Sequence, residues 1–331
     1  MDPITHGLIG ATATQSFAKP ETTRAAAFTG LVSAMLADLD VFISSTSDPL
    51  LTVELHRHFT HSFIFIPVGA LVATLVTWWL VKKYLTLKET YLFSLAGYAT
   101  AGVADVITSY GVHLLWPFVD GRYSLNIISV FDPLFSLGII LLAGFALYKK
   151  RKRFAFVAWG WIFLYLAFGF VQQQRAENAA VELALRNGHH IEQMVVKPTI
   201  ANQILWSVRY EAGGNLHAAG IRLMPFSKPI IYEGGQTTLL DWQERYAAYR
   251  GTILYKDIRR FSELSEGFLI QHPKDENVIG DGRYSMLPTT LSPLWGVKLD
   301  PGQPDQHVDY VTYRDTDTEI RRAFLDMLLG R

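Results

Sequence analysis

The stretch 62–81, SFIFIPVGALVATLVTWWLV, decides the class of fold. It contains no charged side chain, and its length matches the roughly 20 residues that an α-helix needs to cross the hydrocarbon core of a bilayer. Three further apolar stretches predict spanning helices in the same way: Tyr91–Tyr110, Val130–Tyr148 and Phe154–Val171. So many long apolar runs in a short sequence favour a membrane protein over a soluble one with buried helices.

Two shorter segments come before these helices. Ile4–Ala18 is rich in Gly, Ala and Thr, and Ala25–Ile43 carries Ala, Gly and Ser along its faces. Small residues let helices approach closely inside a bilayer. We therefore expect both segments to be inner helices of the bundle, either spanning or partly re-entrant.

Basic side chains occur in alternate connections between these helices. They are Lys19 and Arg24, then Lys82, Lys83 and Lys88, then Lys149, Lys150, Arg151, Lys152 and Arg153. Short basic loops stay in the cytoplasm, so the opposite helix ends and everything after Val171 are expected outside. The sequence thus predicts a multi-pass protein of a bacterial-type inner membrane. Met1 is not followed by a basic n-region, so no cleaved signal peptide is expected.

The character of the sequence changes after residue 171, where it becomes charged and rich in turn signals. Gln172–Leu185 continues the helical pattern, and two further helices are predicted at Asp241–Tyr249 and Thr318–Leu329. Short runs bounded by Gly and Pro predict strands at Ile204–Tyr210, His217–Leu223, Gly251–Tyr255, Gly267–Gln271, Leu294–Leu299 and Val308–Tyr313. The predicted fold is an α-helical transmembrane bundle over 1–171 followed by a small α+β extracytoplasmic domain over 172–331. No catalytic constellation stands out in the second part.

Global composition excludes some functions. The chain has 331 residues with 30 basic and 30 acidic side chains, so no basic field favours a nucleic-acid partner. Cysteine is absent, which excludes thiolate metal ligands. Transport is disfavoured because the polar groups gather at one end of the bundle instead of crossing it.

Side chains that can bind metal fall at the helix ends opposite the basic loops. They are His6, Asp38, Asp40, His56, His58, His61, Asp105, His113, Asp120 and Asp132. Asp132 before Pro133 is typical of a helix N-cap, and His58 and His113 are typical of solvated or interfacial residues. Carboxylates in apolar helices, by contrast, usually mark a functional site or a specific partner. Imidazoles and carboxylates together suit Zn²⁺, with Mn²⁺ or Fe²⁺ as alternatives; a polar network that joins helix ends is the structural alternative.

Several short motifs carry a family resemblance. The sequence MDPITHG at 1–7, ADLD at 37–40 and HRHFTHS at 56–62 resembles the YdjM-type family of membrane-bound metal-dependent hydrolases. DVITSYG at 105–111, LWPF at 115–118 and DPL at 132–134 are similar to a later block of that family. The family resembles, more distantly, the zinc phospholipase C and P1-nuclease group. That resemblance implies His6, Asp38, His61 and Asp105 as metal ligands.

The chain departs from that group at one position. Four residues before Asp105, where the pattern has histidine, this chain has Ala101. Members of the group that bind a metal through a processed N-terminal amine also differ from a chain that starts at Met1. A full three-metal site is therefore not expected, and His56, His58 or His113 are possible substitutes; we include His56 among the predicted ligands.

The predicted function is a membrane-bound, metal-dependent hydrolase that cleaves a phosphoester of a lipid or lipid-linked substrate at the outer membrane face. Asp38 or Asp40 would act as bridging ligand or general base. Arg57 would hold an anionic oxygen, although a charge at headgroup level is an equal alternative. The partners are the bilayer and the lipid substrate. The competing function is a catalytically degenerate membrane scaffold or envelope-stress module with a structural metal or polar cluster.

Overall fold

The computed structural model describes residues 1–314 and 316–331. Contacts divide the chain into two compact units. Unit 1 comprises Met1–Ile43, Leu55–Val171 and Ile200–Asn202. Unit 2 comprises Ser44–Glu54, Gln172–Thr199 and Gln203–Arg331. The inclusion of Ser44–Glu54 in unit 2 was not anticipated from the sequence.

Unit 1 is helical, and its helix starts follow local capping chemistry. The Asp2 side chain accepts from the Thr5 backbone N–H, Thr86 and Glu89 form a capping box, and Asp132 accepts from Phe135. The helices that begin in unit 1 are α1 (Pro3–Gln15), α2 (Thr23–Leu36), α4 (Ile66–Val81), α5 (Leu87–Val106), α6 (Pro133–Lys149) and α7 (Arg153–Arg186), and α3 (Pro49–Leu55) begins in the Ser44–Glu54 segment. Short 3-10 turns lie at Ala37–Phe42, Phe59–His61 and Phe63–Phe65.

Glycines allow three helices of unit 1 to pack closely. A Cβ atom added at Gly10 on α1 would collide with the Gly30 backbone on α2, and one added at Gly97 on α5 would meet the same backbone. α1, α2 and α5 therefore touch through their main chains, as small-residue helix contacts do. This contact places the ends of α1, α2 and α5 close together.

Within residues 1–314 and 316–331, three helices are long and apolar enough to cross a membrane: Thr23–Phe42, Phe63–Val81 and Arg153–Arg186. Large apolar side chains on two of them are exposed, including Trp79 at 71% and Leu164 at 67%. α6 is apolar but has only 17 residues. The predicted span Tyr91–Tyr110 was placed too late in the chain, because the Thr86 capping box starts α5 at Leu87. α5 is also not among the three candidate spans.

The described part of unit 2 contains two four-stranded antiparallel sheets, with strand orders β1-β2-β3-β4 and β5-β6-β7-β8. The first contains β1 (Gln193–Pro198), β2 (Leu205–Ala212), β3 (Asn215–Arg222) and β4 (Ile230–Thr238). The second contains β5 (Leu269–His272), β6 (Asp275–Asp281), β7 (Trp295–Lys298) and β8 (Asp309–Thr312). The helices are α8 (Trp242–Arg245), α9 (Ile253–Leu264) and α10 (Thr318–Leu329). α7 begins in unit 1 and enters unit 2 after Val171.

One predicted element of unit 2 has the wrong type. The run Gly251–Tyr255 was predicted as a strand, but Thr252 caps α9 and the chain is helical from Ile253. Leu254, Ile258 and Phe261 are buried at helical spacing on this helix. Predicted helix Asp241–Tyr249 is shorter, with α8 followed by a 3-10 turn at Ala247–Tyr249. Strands β1, β4 and β6 were not predicted.

Candidate metal centre

Four of the predicted ligands meet inside unit 1. His6 lies in the first turns of α1, Asp38 in the 3-10 turn after α2, His61 in the turn before α4, and Asp105 near the end of α5. The side chains of His6, His61 and Asp105 are fully buried, whereas that of Asp38 is 13% exposed. The close packing of α1, α2 and α5 brings these ends together.

The carboxylates of Asp105 and Asp38 lie between the two imidazoles. Asp105 Oδ1 is 3.2 Å from His6 Nε2, and Asp105 Oδ2 is 3.2 Å from His61 Nε2. Asp38 Oδ1 is 3.5 Å from His61 Nε2, and its Oδ2 is 3.9 Å from His6 Nε2. One ligand atom each from His6, Asp38 and Asp105 lies within 4.8 Å of the others.

Several atoms of this cluster lack hydrogen bonds of suitable geometry. His61 Nε2, Asp38 Oδ2 and Asp105 Oδ2 are buried and make none with any described residue. Buried polar atoms in folded proteins nearly always have a partner, and an exception calls for an explanation such as an ion. Two imidazole nitrogens and two carboxylates form a donor set that suits Zn²⁺. The residues present therefore fit a divalent cation.

Asp40 contacts the other edge of His61. Its Oδ2 is 3.3 Å from His61 Nδ1 and accepts hydrogen bonds from the Thr60 hydroxyl and the Arg57 backbone N–H. Its Oδ1 lies 2.8 Å from His56 Nδ1. A carboxylate on the outer nitrogen of a histidine fixes the ring and directs the other nitrogen at a metal. Asp40 thus occupies the position of a supporting carboxylate.

The carboxylates also control the charge of His61. Burial lowers the pKa of this imidazole, but the nearby carboxylates of Asp105, Asp38 and Asp40 outweigh burial and raise the pKa to about 10. The cluster is therefore an environment that favours positive charge at the position of the His61 ring.

The other predicted histidines lie outside this group of four. His56 contacts Asp40 through Nδ1, and its side chain is 36% exposed. His113 Nε2 accepts a hydrogen bond from Arg122 Nε, and burial, followed by the charge of Arg122, lowers the pKa of His113 to about 4. His58, His113 and Asp120 form a second group that could hold an ion. The guanidinium of Arg122 beside His113 opposes a second cation there.

Arg57 reaches the centre from a strained backbone. Its φ is +60°, unfavourable for a residue with a Cβ atom, and its carbonyl accepts from the His113 N–H. The Arg57 Nε atom is 3.1 Å from Asp105 Oδ2, and the side chain is almost completely buried. Its Nη1 is buried without a hydrogen-bond partner among the described residues. The Met1 amino group also forms an ion pair with Asp105.

Ala101 lies in apolar surroundings. It is fully buried with Ala37 and Tyr98, next to Leu36, Phe65 and Ile66. The Tyr98 hydroxyl donates to the Thr60 carbonyl, next to His61. α5 therefore contributes one side chain, Asp105, to the group of four predicted ligands.

Sequence reasoning missed the supporting residues. Thr60 and Tyr98 make hydrogen bonds that hold the turn carrying His61. In the sequence, the only signal for Thr60 was its position between Phe59 and the predicted ligand His61. In unit 2 it also missed Asp48, Asp257 and His307, which form a third group of possible ligands. His189, Tyr210 and His217 line a small cavity of about 160 Å³ there.

Comparison with known proteins gives one match. A family model described as YdjM inner membrane protein matches residues 1–176, more than half of the 331 residues and all of the segments that carry the predicted ligands. No curated protein and no solved structure matched the chain.

Proposed function

The chain belongs to the YdjM inner membrane protein family, and on that premise we propose that it is a membrane-bound, metal-dependent hydrolase of lipid phosphoesters. The observation that carries the proposal is the convergence of His6, Asp38, His61 and Asp105 with buried atoms that lack hydrogen bonds. Such atoms would be costly in a purely structural polar network, because each buried unsatisfied group destabilises the fold by about 1–3 kcal/mol.

These four side chains would hold a divalent cation, with Zn²⁺ foremost and Mn²⁺ or Fe²⁺ as alternatives. When bound, such an ion lowers the pKa of water and neutralises charge that develops on the scissile group. His56, included among the ligands from the sequence, is assigned instead to the support of Asp40, because its Nδ1 contacts that carboxylate.

The protein side chains divide the remaining roles. In this proposal one oxygen of Asp38 holds the ion and the other is the general base, since the Asp38 side chain is the one member of the four that is partly exposed, at 13%, and its buried Oδ2 has no hydrogen-bond partner. Asp40 is less suited to that role because both of its oxygens already have contacts. Arg57 would bind an anionic substrate oxygen through Nη1, which is buried without a partner.

The surroundings of Asp38 favour an amphiphilic substrate. Leu39, Val41 and Phe42 alternate with the two aspartates of the 3-10 turn, and they are 50%, 53% and 78% exposed. This turn ends the candidate span Thr23–Phe42. A lipid or lipid-linked phosphoester would present its apolar part to these side chains and its phosphate to the bound ion and Arg57.

The activity is tested with purified protein in vesicles that contain a diacyl phospholipid. We expect release of the phosphorylated headgroup by the wild type and loss of that release in Asp38→Asn, while His113→Ala keeps it. Hydrolysis by Asp38→Asn at the wild-type rate would refute the proposed chemistry.

We also propose that unit 2 is extracytoplasmic, because the basic residues at 19–24, 82–88 and 149–153 lie in alternate connections. The chain has no cysteine, so single cysteines at Lys150 and Gln303 can be labelled with an impermeant maleimide in intact cells. We expect labelling of Gln303→Cys alone. Labelling of Lys150→Cys alone would show that the orientation is the opposite of the one proposed.

The second candidate is a catalytically degenerate scaffold or envelope-stress module. The apolar burial of Ala101, where the related group has histidine, favours it. In that case the protein would bind metal without hydrolysing lipid, so the metal and activity measurements distinguish the two candidates.

A further inference from the structure

The connection between two ligand-bearing segments of the metal centre belongs to the other unit. Asp38 and Asp40 come before it, and His56 and His61 come after it. The chain leaves unit 1 after Ile43, runs through Ser44–Glu54 as part of unit 2, and returns to unit 1 at Leu55.

One buried apolar side chain attaches this connection to the rest of unit 2. Leu50 on α3 is fully buried in the cluster that contains Phe261 on α9 and Trp295 on β7. The Asp48 carboxylate accepts from the Leu51 backbone N–H near the start of α3. A short helix with one buried anchor is a weak attachment by itself, so its polar contacts are important.

Arg260 on α9 provides these polar contacts. Its Nε and Nη2 each lie 2.7 Å from an oxygen of Glu54, in a bidentate pair. The same guanidinium lies 3.0 Å from Asp48 Oδ2 and 2.8 Å from Asp257 Oδ1. Asp257 is 1% exposed and also accepts from the Val308 backbone N–H, while its Oδ2 is 2.8 Å from His307 Nδ1. We call Arg260 with Asp48, Glu54 and Asp257 the arginine clamp.

We propose that the arginine clamp is a positioning element for the metal centre, through which unit 2 sets the affinity of unit 1 for its metal. This inference rests on the proposed function. All contacts of the clamp lie within unit 2, and the consequence for unit 1 follows from the continuity of the chain. Glu54 is two residues before His56, and Ser44 is four residues after Asp40.

The physical reason is the entropy of a connection between ligands. A free connection must be ordered again whenever its flanking ligands close on an ion, and this ordering costs conformational entropy. The clamp orders this connection before metal arrives. Bidentate arginine–carboxylate pairs are suited to the task because they fix direction as well as distance.

The chain offers a matched control on the same helix. Arg259 pairs with Glu263 at 2.9 Å, but both side chains are mostly exposed, at 68% and 64%. Exposed pairs of this kind contribute little. Glu54→Gln and Glu263→Gln therefore make the same chemical change in a clamp pair and in an ordinary surface pair.

The test measures Zn²⁺ affinity of the full chain in detergent by competition with a chromophoric chelator. We expect Kd to increase about tenfold in Arg260→Ala, in the range known for supporting partners of metal sites, and less in Glu54→Gln. Arg260→Lys should restore part of the affinity, and Glu263→Gln should equal wild type. If Glu54→Gln folds and binds Zn²⁺ as tightly as Glu263→Gln, the proposal is overturned.

A second readout separates this inference from the proposed function. Hydrogen exchange of metal-free protein should be faster at 37–43 and 55–61 in Glu54→Gln than in Glu263→Gln. A wild type that binds no Zn²⁺ would refute the proposed metal chemistry, and the exchange rates would still decide the role of the clamp. Equal exchange in both variants would refute the clamp as a positioning element.

Discussion

Two clusters of three carboxylates lie in different units of this chain and differ in how their charge is satisfied. In unit 2, Asp48, Glu54 and Asp257 surround the guanidinium of Arg260, which donates to each of them. In unit 1, Asp38, Asp40 and Asp105 surround His61. Judged by the distances between side-chain atoms alone, each unit contains a group of residues that could hold a metal ion.

Hydrogen-bond satisfaction separates the two clusters. In the described part of unit 2, none of the clamp carboxylates has a buried oxygen without a partner, whereas Asp38, Asp105 and His61 each have such an atom. The guanidinium of Arg260 satisfies the acidic cluster of unit 2, whereas the ion pairs of Asp105 with Arg57 and the Met1 amino group leave atoms of the unit 1 cluster without hydrogen bonds. Density of acidic and histidine side chains is therefore a poor guide to metal binding, and unsatisfied buried donor atoms are a better one.

The largest expected effect comes from removal of a proposed ligand in unit 1. Asp105→Asn and His61→Ala should each lose most of the bound metal, because the remaining side chains hold an ion poorly once one ligand is gone. Elemental analysis of the purified variants measures this. His307→Ala, which alters the corresponding group in unit 2, should keep the wild-type metal content. Equal loss in all three variants would remove the distinction between the clusters.

A smaller effect is expected for the carboxylate that supports His61. Asp40→Asn keeps the four ligands but weakens the contact with His61 Nδ1, so metal affinity should fall about 10–100-fold at unchanged stoichiometry. Isothermal titration of metal-free protein provides both numbers. His56→Ala should have less effect, since His56 touches only the outer side of Asp40. A larger loss in His56→Ala would restore His56 as a ligand.

The smallest expected effect is on the pH dependence of stability, and it follows from a comparison of one histidine in each unit. Burial and the neighbouring His189 lower the pKa of His217 below its ordinary value of 6.5, whereas carboxylates raise the pKa of His61 to about 10. Below pH 6.5, the unfolded chain therefore binds a proton at His217 more readily than the folded chain does. The contribution of His217 to the free energy of unfolding is fully present above pH 6.5 and is lost as the pH falls below that value.

Thermal unfolding of the full chain above and below pH 6.5 measures this contribution. His217→Gln should lose less stability on acidification than wild type, while His190→Gln, which alters the neighbouring exposed histidine, should behave as wild type. An identical acid response in His217→Gln and wild type would mean that the His189–His217 contact, with ring centroids 4.3 Å apart, does not resist protonation.

The sequence predicted elements best where one local signal was sufficient. Asp132 before Pro133 was expected to cap a helix, and it does. α9 was missed because Gly251 and the apolar run after it resemble a strand start, while the burial of Ile258 and Phe261 depends on contacts across unit 2. The convergence of His6, Asp38, His61 and Asp105 could be expected because ionisable side chains stand out in apolar segments and because the family resemblance implied these four residues. The separate positions of Asp40 and His56 depend on ring orientation, which sequence spacing does not encode.

The assignment of Ser44–Glu54 to unit 2 was not anticipated because it, too, depends on contacts between residues far apart in the sequence. Its side chains show no strong pattern, and its place in unit 2 depends on Leu50 and on Arg260, about 200 residues later in the chain. Contacts at such separation arise from tertiary packing alone.

X-ray absorption at the zinc edge of the purified wild-type protein tests the central claim most directly, because it reports the ligands of the bound ion. We expect nitrogen and oxygen ligands at about 2.0–2.1 Å with the outer-shell scattering of two imidazoles, and we expect His6→Ala to reduce the imidazole contribution while His113→Ala leaves it unchanged. Zinc bound through oxygen alone, or through imidazoles whose signal survives His6→Ala but disappears in His113→Ala, would contradict the assignment of the centre to His6, Asp38, His61 and Asp105.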